Sequence, residues 1–179
     1  MRPDFIPGAP FPDFQLPDDD GTPRRLSELQ DDDAWCCCSA GGSTALANVN
    51  TNARWSSSTS GARWPAPGLS PSAERHSDTK KMRIATGAYR PFLADVDFEV
   101  QSILDIREYT DAHHRATVSH ALVLAPALLI DNIYVGYWFW GRPSVYDLWA
   151  DLRDLSRRIH PDFDPTVPAV LDSWLASQR

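Results

Sequence analysis

Three consecutive cysteines, Cys36, Cys37 and Cys38, are the only cysteines of this 179-residue chain. A thiol that ionises is a nucleophile, so these residues are the first candidates for catalytic chemistry. Adjacent cysteines lack the Cα separation of about 5.5–6 Å and the converging Cβ vectors of an ordinary disulfide. They also lack the two-residue gaps with which cysteines surround zinc. The triplet therefore predicts neither a disulfide framework nor a metal centre, and its thiols remain candidates for catalysis.

Histidine and arginine side chains elsewhere in the chain could assist such a thiol. The residues His113, His114 and His120 show no metal-ligand spacing such as His-x-Glu-x-x-His, so we expect turn or surface histidines and no metal site. Arg107 and Arg142 carry the charge that stabilises a thiolate, but the sequence alone does not place either of them beside a thiol.

Composition excludes several classes of protein. The chain has 17 basic and 24 acidic residues, a formal net charge of −7, which argues against a nucleic-acid partner. The longest apolar run, 121–130, is about half a membrane span and contains Pro126. The start of the chain lacks the profile of a signal peptide. We therefore expect one cytoplasmic domain over 1–179 with no membrane partner and no cofactor. Gly41-Gly42 is not a phosphate loop, because the lysine and hydroxyl partners are missing.

The first element that could position a site is a hairpin within 8–29. Asp18–Gly21 is typical of a turn, and Thr22–Leu26 is predicted as the returning strand. The acidic run of this turn is expected to be solvated. Ser27 is predicted to cap one helical turn through Leu29, and Asp31–Asp33 is predicted as a loop before a strand.

Helical patterns follow the middle of the chain. Thr79–Ala88 is predicted as a short helix ending near Gly87. A further helix is predicted after Asp95 or Asp97. Its spacing indicates one buried stripe, formed by Val96, Val100, Ile103 and Leu104.

Two strands and two helices are predicted in the last third. Ala121–Leu124 is a continuous apolar run, typical of a central strand covered on both faces, and Leu129–Tyr137 is its predicted partner. The helix Val145–Ile159 combines apolar gaps of three and four with a Ser144/Asp147 capping box. A last helix over Val167–Leu175 is expected to dock through Val170, Leu171 and Trp174. The element order predicts a layered α/β or α+β domain.

The segment between these patterned regions is anomalous. Residues 34–73 contain no Asp, Glu, Lys, Ile, Phe or Tyr, and their apolar positions follow no period. A structureless stretch of this length, extending to about residue 77, is unusual inside a compact domain.

Both ends of the chain resemble a known family. The opening GAPFPDFQLPDDDGTPRRLSEL (8–29) resembles peroxiredoxin-like redoxin proteins of the alkyl hydroperoxide reductase/thiol-specific antioxidant family. PFLADVDFEVQSILDIREYTD (91–111) and ALVLAPALLIDNIYVGYWFWGRPSVYDLWADL (121–152) are similar to later parts of such proteins, GYWFWGRPS being the most distinctive motif. The resemblance covers most of the chain except about 34–77.

The resemblance implies a thioredoxin-like fold, a central mixed sheet flanked by helices, and an antioxidant oxidoreductase. In such proteins a cysteine thiolate in the first turn of a helix, commonly in a Cys-Pro pair, attacks peroxide and is then reduced by a second thiol. A peroxide and a thiol reductant would be the partners of an active protein. Here Cys36–Cys38 occupy the expected core strand, no Cys-Pro pair is present, and Ser119 replaces the usual cis-proline. The chain as written is therefore expected to lack activity.

The genetic code suggests an origin for the anomaly. Trp is encoded only by TGG and Cys by TGC or TGT. If reading starts at the third base of the Ala34 codon, the first triplet is NTG, which encodes Val, Leu or Met. The next three triplets are GTG, YTG and YTG, which encode Val, Leu and Leu. The same shift permits Tyr-Cys-Pro, with the cysteine codon straddling Thr44 and Ala45. A shifted reading frame from Ala34 to about Ser72 is one hypothesis; a natural Ser/Ala/Gly-rich insert is the other.

A dense aromatic cluster offers a second, non-catalytic interpretation. Tyr137, Trp138, Phe139 and Trp140 precede Gly141 and Arg142, residue types favoured at binding hot spots. Alternate rings could pack under the last helix while the others cover the sheet edge, or Tyr137, Trp138, Trp140 and Arg142 could form the interface of a homodimer. A ligand platform is the third and least favoured interpretation. The alternative function is thus a thioredoxin-fold interaction module that self-associates through this aromatic face.

Overall fold

The computed structural model describes residues 1–30, 32–38, 68–69, 80–81, 83–84, 92–110, 117–136, 143–164 and 166–177. The strands are β1 (Gln15–Pro17), β2 (Pro23–Arg25), β3 (Trp35–Cys38), β4 (Gly68–Leu69), β5 (His120–Ala125) and β6 (Leu129–Val135). The helices are α1 (Leu26–Gln30), α2 (Glu99–Leu104), α3 (Val145–Ile159) and α4 (Pro168–Ser177), with a 3₁₀ turn at Pro126–Leu128. No helix among these residues is long and apolar enough to cross a bilayer.

The central sheet has the strand order β4-β3-β5-β6. Strand β3 runs parallel to β4 and antiparallel to β5, and β5 runs antiparallel to β6, so the sheet is mixed. The register places Cys36 opposite Val123 and Cys37 opposite Leu122. The predicted central strand is confirmed, because Ala121–Leu124 is buried throughout.

Two apolar cores cover the two faces of this sheet. On one face, Cys36 and Val123 belong to a cluster with Leu148, Leu152 and Leu155 of α3. On the other face, a second cluster contains Trp35, Cys37, Leu122, Leu124, three aromatic rings of the N-terminal segment, and Val100 and Leu104 of α2. Successive residues of a strand point to opposite faces, so β3 contributes one cysteine to each core.

Helix α3 begins and ends at the predicted residues. Ser144 and Asp147 form the predicted capping box, in which the Asp147 N–H donates to Ser144 Oγ at 3.1 Å and the Ser144 N–H donates to Asp147 Oδ2 at 2.8 Å. His160 is the C-terminal cap residue, as Pro161 predicts. Local signals alone therefore fix this helix.

Several predicted caps and stripes require correction. Ser27 lies inside α1 and caps nothing, because its N–H and hydroxyl both donate to the Asp13 carboxylate. The N-cap residue of α2 is Phe98, in a left-handed conformation, and neither Asp95 nor Asp97 is the cap residue. Asp95 instead reaches the first turn from outside the helix, where it accepts the Val100 N–H at 3.2 Å and the Gln101 N–H at 3.1 Å. Burial raises the pKa of Asp95 despite these two donors. In the predicted stripe only Val100 and Leu104 are buried, whereas Val96 and Ile103 are exposed.

The acidic turn of the hairpin is buried in part, so the expectation of a solvated turn is wrong for Asp18 and Asp19. Asp18 accepts the N–H groups of Asp20 and Thr22 and the Nε–H of Arg24. Burial by itself raises the pKa of Asp18, but the Thr22 N–H, the Arg24 guanidinium and the Asp20 N–H outweigh it and hold the pKa below its usual value. The predicted hairpin is confirmed by the pairing of β1 with β2.

The anomalous segment contributes strands to the sheet. Trp35–Cys38 forms β3, and Gly68–Leu69 pairs with it in parallel as β4. Of the predicted helix Thr79–Ala88, the residues Lys80, Lys81, Arg83 and Ile84 are helical. The predicted contacts of Val170, Leu171 and Trp174 lie outside the described side chains.

Candidate functional site

Two kinds of residue predicted to carry chemistry, the cysteines of β3 and His120, lie where β3 ends and β5 begins. Cys38, the last residue of β3, pairs with Ala121, and His120 at the start of β5 pairs with Val135 near the end of β6. The carboxyl end of β3 and the amino end of β5 therefore share one edge of the sheet. We take this edge as the candidate functional site.

The cysteines lie inside the sheet rather than in a cleft. Cys36 is 4% exposed and Cys37 is 2% exposed, and both are buried thiols outside any disulfide. Alanine, valine and leucine side chains surround Cys36, and aromatic and aliphatic side chains surround Cys37. Cys38 occupies the same strand, but its side chain lies outside the described atoms.

The two cysteines lie in a strand and not at the amino end of a helix. Aligned N–H groups at a helix amino end, with a nearby cation, stabilise a thiolate. The backbone of β3 instead pairs with β4 on one side and with β5 on the other, so its dipoles alternate. Cys36 and Cys37 are therefore placed as core-packing residues.

Ser119 and His120 form the β5 side of the site. The carbonyl of Ser119 accepts the Gly136 N–H at 2.6 Å, which joins this edge to the end of β6. Ser119 is buried, and the described part of the chain contains no cis peptide bond. The site thus has a trans backbone at the position where the family resemblance implied a cis-proline.

His120 is buried, which corrects the expectation of a turn or surface histidine. Its Nδ1 lies 3.0 Å from the Val118 carbonyl oxygen. Burial lowers the pKa of His120, although the hydrogen bond to Val118 opposes this shift. The imidazole is therefore neutral at pH 7, with Nδ1–H donating to the carbonyl. Its apolar position in β5, within the sequence His-Ala-Leu-Val-Leu, was the signal for its burial.

Arg107 does not face the cysteine strand. It is exposed and its guanidinium lies 5.8 Å from the centre of the Tyr109 ring. Its backbone forms an isolated bridge with Thr117, two residues before Ser119. A cation–π contact at the surface is thus the described role of this arginine.

A polar cluster beside Cys36 was missed from the sequence. Tyr134 packs against the core that contains Cys36, and its hydroxyl donates to Asp151 Oδ2 at 2.7 Å. Asn132 Nδ2 donates to the same oxygen at 2.8 Å. Burial, and next the Asp151 carboxylate, raise the pKa of Tyr134 to about 12. Asp151 lies between Leu148 and Leu152, which belong to the apolar repeat of α3. This position in the sequence could have indicated that its side chain lies near the sheet.

The remaining predicted site residues lie outside the described residues. They are His113, His114, Tyr137, Trp138, Trp140 and Arg142, and the same holds for Gly41 and Gly42. Among the residues that the structure describes, no group of three histidine, cysteine, aspartate or glutamate side chains could hold a metal ion.

Comparisons with known proteins identify the fold. No family model and no curated protein matches the sequence. Solved structures do match: peroxidoxin BcpB from Mycobacterium tuberculosis has a TM-score of 0.64 at 16% identity, covering 88% of this chain and 98% of that one. A peroxiredoxin-like protein from Aquifex aeolicus has a TM-score of 0.73 at 8% identity, covering 86% and 90% of the two chains.

A third match is reduced Prx3 from Vibrio vulnificus, with a TM-score of 0.69 at 14% identity, covering 83% of this chain and 99% of that one. At these identities the likeness establishes the fold alone. The predicted thioredoxin-like α/β fold, in the form seen in peroxiredoxin structures, is confirmed.

Proposed function

We propose that this chain is a peroxiredoxin-like protein of the thioredoxin fold that, as written, has no thiol peroxidase activity. The fold supports the first half of the proposal. One observation carries the second half: Cys36 and Cys37 are buried core residues of a central strand.

The chemistry explains why that position matters. Peroxide reduction needs a thiolate sulfur that attacks one peroxide oxygen, forming an S–O bond as the O–O bond breaks; the other oxygen leaves as alkoxide or hydroxide and takes up a proton. The resulting sulfenic acid condenses with a second thiol, which gives a disulfide and releases water. The sulfur must therefore be ionised and open to peroxide. The side chains of Cys36 and Cys37 are enclosed by the two cores of the sheet, which keeps peroxide away from both sulfurs and supports the proposed lack of activity.

A shifted reading frame is the origin that we propose for this arrangement. The shifted triplets at 34–38 encode Val, Leu or Met, then Val, Leu and Leu, which are suited to a strand buried on both faces. The strand β3 lies at these residues and is buried on both faces. Resequencing the gene and aligning it with related genes tests the proposal. A corrected reading error within codons 34–72, or a pair of compensating indels relative to the related genes, supports it. One uninterrupted frame without compensating indels overturns it.

A peroxide-consumption assay with dithiothreitol as reductant tests the lack of activity. We expect the chain to consume peroxide no faster than a variant in which all three cysteines are alanine. Turnover by the parent chain that is lost in Cys36→Ala, Cys37→Ala or Cys38→Ala would overturn the proposal. Circular dichroism of each variant distinguishes a lost thiol from a lost fold.

Self-association through residues 137–142 is the second candidate function. One observation favours it: β6 is one of the two outermost strands of the described sheet, and its last residue, Val135, is 53% exposed just before this aromatic segment. Sedimentation of the parent chain and of a Tyr137→Ala/Trp140→Ala variant tests it. A dimeric parent and a monomeric variant support the proposal, whereas two monomers contradict it.

A further inference from the structure

The β1–β2 turn contacts a distant part of the chain through two ion pairs. Asp19 Oδ2 lies 2.8 Å from Arg83 Nε, and Asp20 Oδ1 lies 2.7 Å from Lys80 Nζ. Lys80 and Arg83 are both helical and three residues apart, so their side chains share one helical face. The carboxylates of Asp19 and Asp20 therefore each pair with one of two cations that lie on the same helical face.

The two ion pairs differ in burial. The Asp19 side chain is 2% exposed and Arg83 is about one-third exposed, whereas Asp20 and Lys80 both lie largely in solvent. The Asp19 and Arg83 atoms satisfy the distance of an ion pair but not the angles of a hydrogen bond, so charge is the main attraction. A buried carboxylate that loses its cation is costly, while an exposed pair contributes little and is screened by salt.

The same turn also holds the chain beyond this helical face. Asp18 forms an antiparallel bridge with Leu93, and the Ala94 N–H donates to the Pro17 carbonyl at 2.9 Å. Asp18 itself is fixed by Thr22 and Arg24 within the hairpin. The turn thus contacts the chain both at Lys80 and Arg83 and at Leu93 and Ala94.

We propose that the β1–β2 turn is a latch that holds the helical turn carrying Lys80 and Arg83 onto the N-terminal hairpin, with Asp19–Arg83 as its principal contact. Release of this ion pair opens the helical turn while the central sheet and α3 stay folded. The latch is a conformational device of the fold, and its two ion pairs involve no cysteine.

Hydrogen exchange of the full chain, followed by mass spectrometry, tests the latch. The variants are Asp19→Asn, Arg83→Gln and Asp20→Asn, with Asp32→Asn as the control because Asp32 is exposed and has no ion pair among the described residues. We expect Asp19→Asn to accelerate exchange around residues 80–84 about tenfold or more, since a charged partner is lost. Peptides from β5 and α3 should exchange as in the parent.

The other variants make the test selective. Arg83→Gln should reproduce the local effect, and it replaces Asp19→Asn if that variant does not fold. Asp20→Asn should have a smaller effect that disappears at high salt, and Asp32→Asn should have none. Unchanged exchange at 80–84 in Asp19→Asn and Arg83→Gln would overturn the proposal. Equal acceleration in every peptide would also overturn it, because the ion pair would then support the whole fold rather than a latch.

Discussion

Gln30 Oε1 accepts the backbone N–H of Leu128 at 2.9 Å, which ties the end of α1 to the turn between β5 and β6. The Nε2 of the same side chain donates to the Ala125 carbonyl at 2.8 Å. One buried amide thus satisfies a donor and an acceptor at the two ends of the Pro126–Leu128 turn. Both Ala127 and Leu128 adopt left-handed backbone angles there, with φ of 61° and 57°.

Replacing Gln30 by leucine is expected to destabilise the protein by about 2–4 kcal/mol, because a buried N–H and a buried carbonyl each lose their partner. Urea denaturation measures the change. Gln15→Leu, an exposed change of the same chemistry in β1, should alter the free energy of unfolding by less than about 0.5 kcal/mol. Similar effects at both positions would show that the turn does not depend on Gln30.

Replacing Ala127 by glycine is expected to stabilise the protein by about 0.5–1 kcal/mol, because glycine adopts positive φ without the steric cost that alanine pays. Thermal or urea unfolding checks the sign. Ala150→Gly in α3 is the matched control and should destabilise by about 1 kcal/mol, since glycine lowers helix propensity. A loss of stability in Ala127→Gly would contradict the assigned backbone.

The burial of His120 predicts acid sensitivity. Its folded pKa lies below the unfolded value of about 6.5, so the neutral imidazole favours the folded state. The contribution of the neutral His120 to the free energy of unfolding is complete above about pH 6.5 and is lost as the pH falls through the folded pKa. In that range the free energy of unfolding falls by at most about 1.4 kcal/mol per pH unit. Denaturation across this range should show the slope in the parent chain.

Two variants separate His120 from other acid-sensitive groups. His120→Gln should remove the slope just below pH 6.5, whereas His160→Gln, a change at an exposed histidine, should retain it. The prediction fails if both variants keep the slope of the parent.

Prediction from sequence succeeded where the signals are local. Helix α3 carries its capping box, its apolar stripe and its stop within 144–161, so all its determinants are adjacent in the chain. The central strand was likewise identified by its unbroken apolar run at Ala121–Leu124. The position of β3 was also predicted, because the family resemblance places a core strand at these residues.

Prediction failed where a residue's partner is distant in sequence. Asp19 appears in a run of charges typical of solvent, and its burial depends on Arg83, which lies 64 residues away in a segment of irregular composition. Ser27 is a residue type typical of a helix N-cap, but its N–H and hydroxyl groups donate to the carboxylate of Asp13, which precedes β1. Tyr134 meets Asp151 only because α3 packs across β6. Such pairings are properties of the tertiary fold.

Cysteine alkylation in the native protein tests the central claim most directly. The chain is treated with N-ethylmaleimide before and after denaturation, and each cysteine is assigned by mass spectrometry. Enclosure of Cys36 and Cys37 in the two cores predicts that both stay unmodified in the native protein and react fully once it is unfolded. Modification of either residue in the native protein at the rate of glutathione in the same buffer would contradict the account.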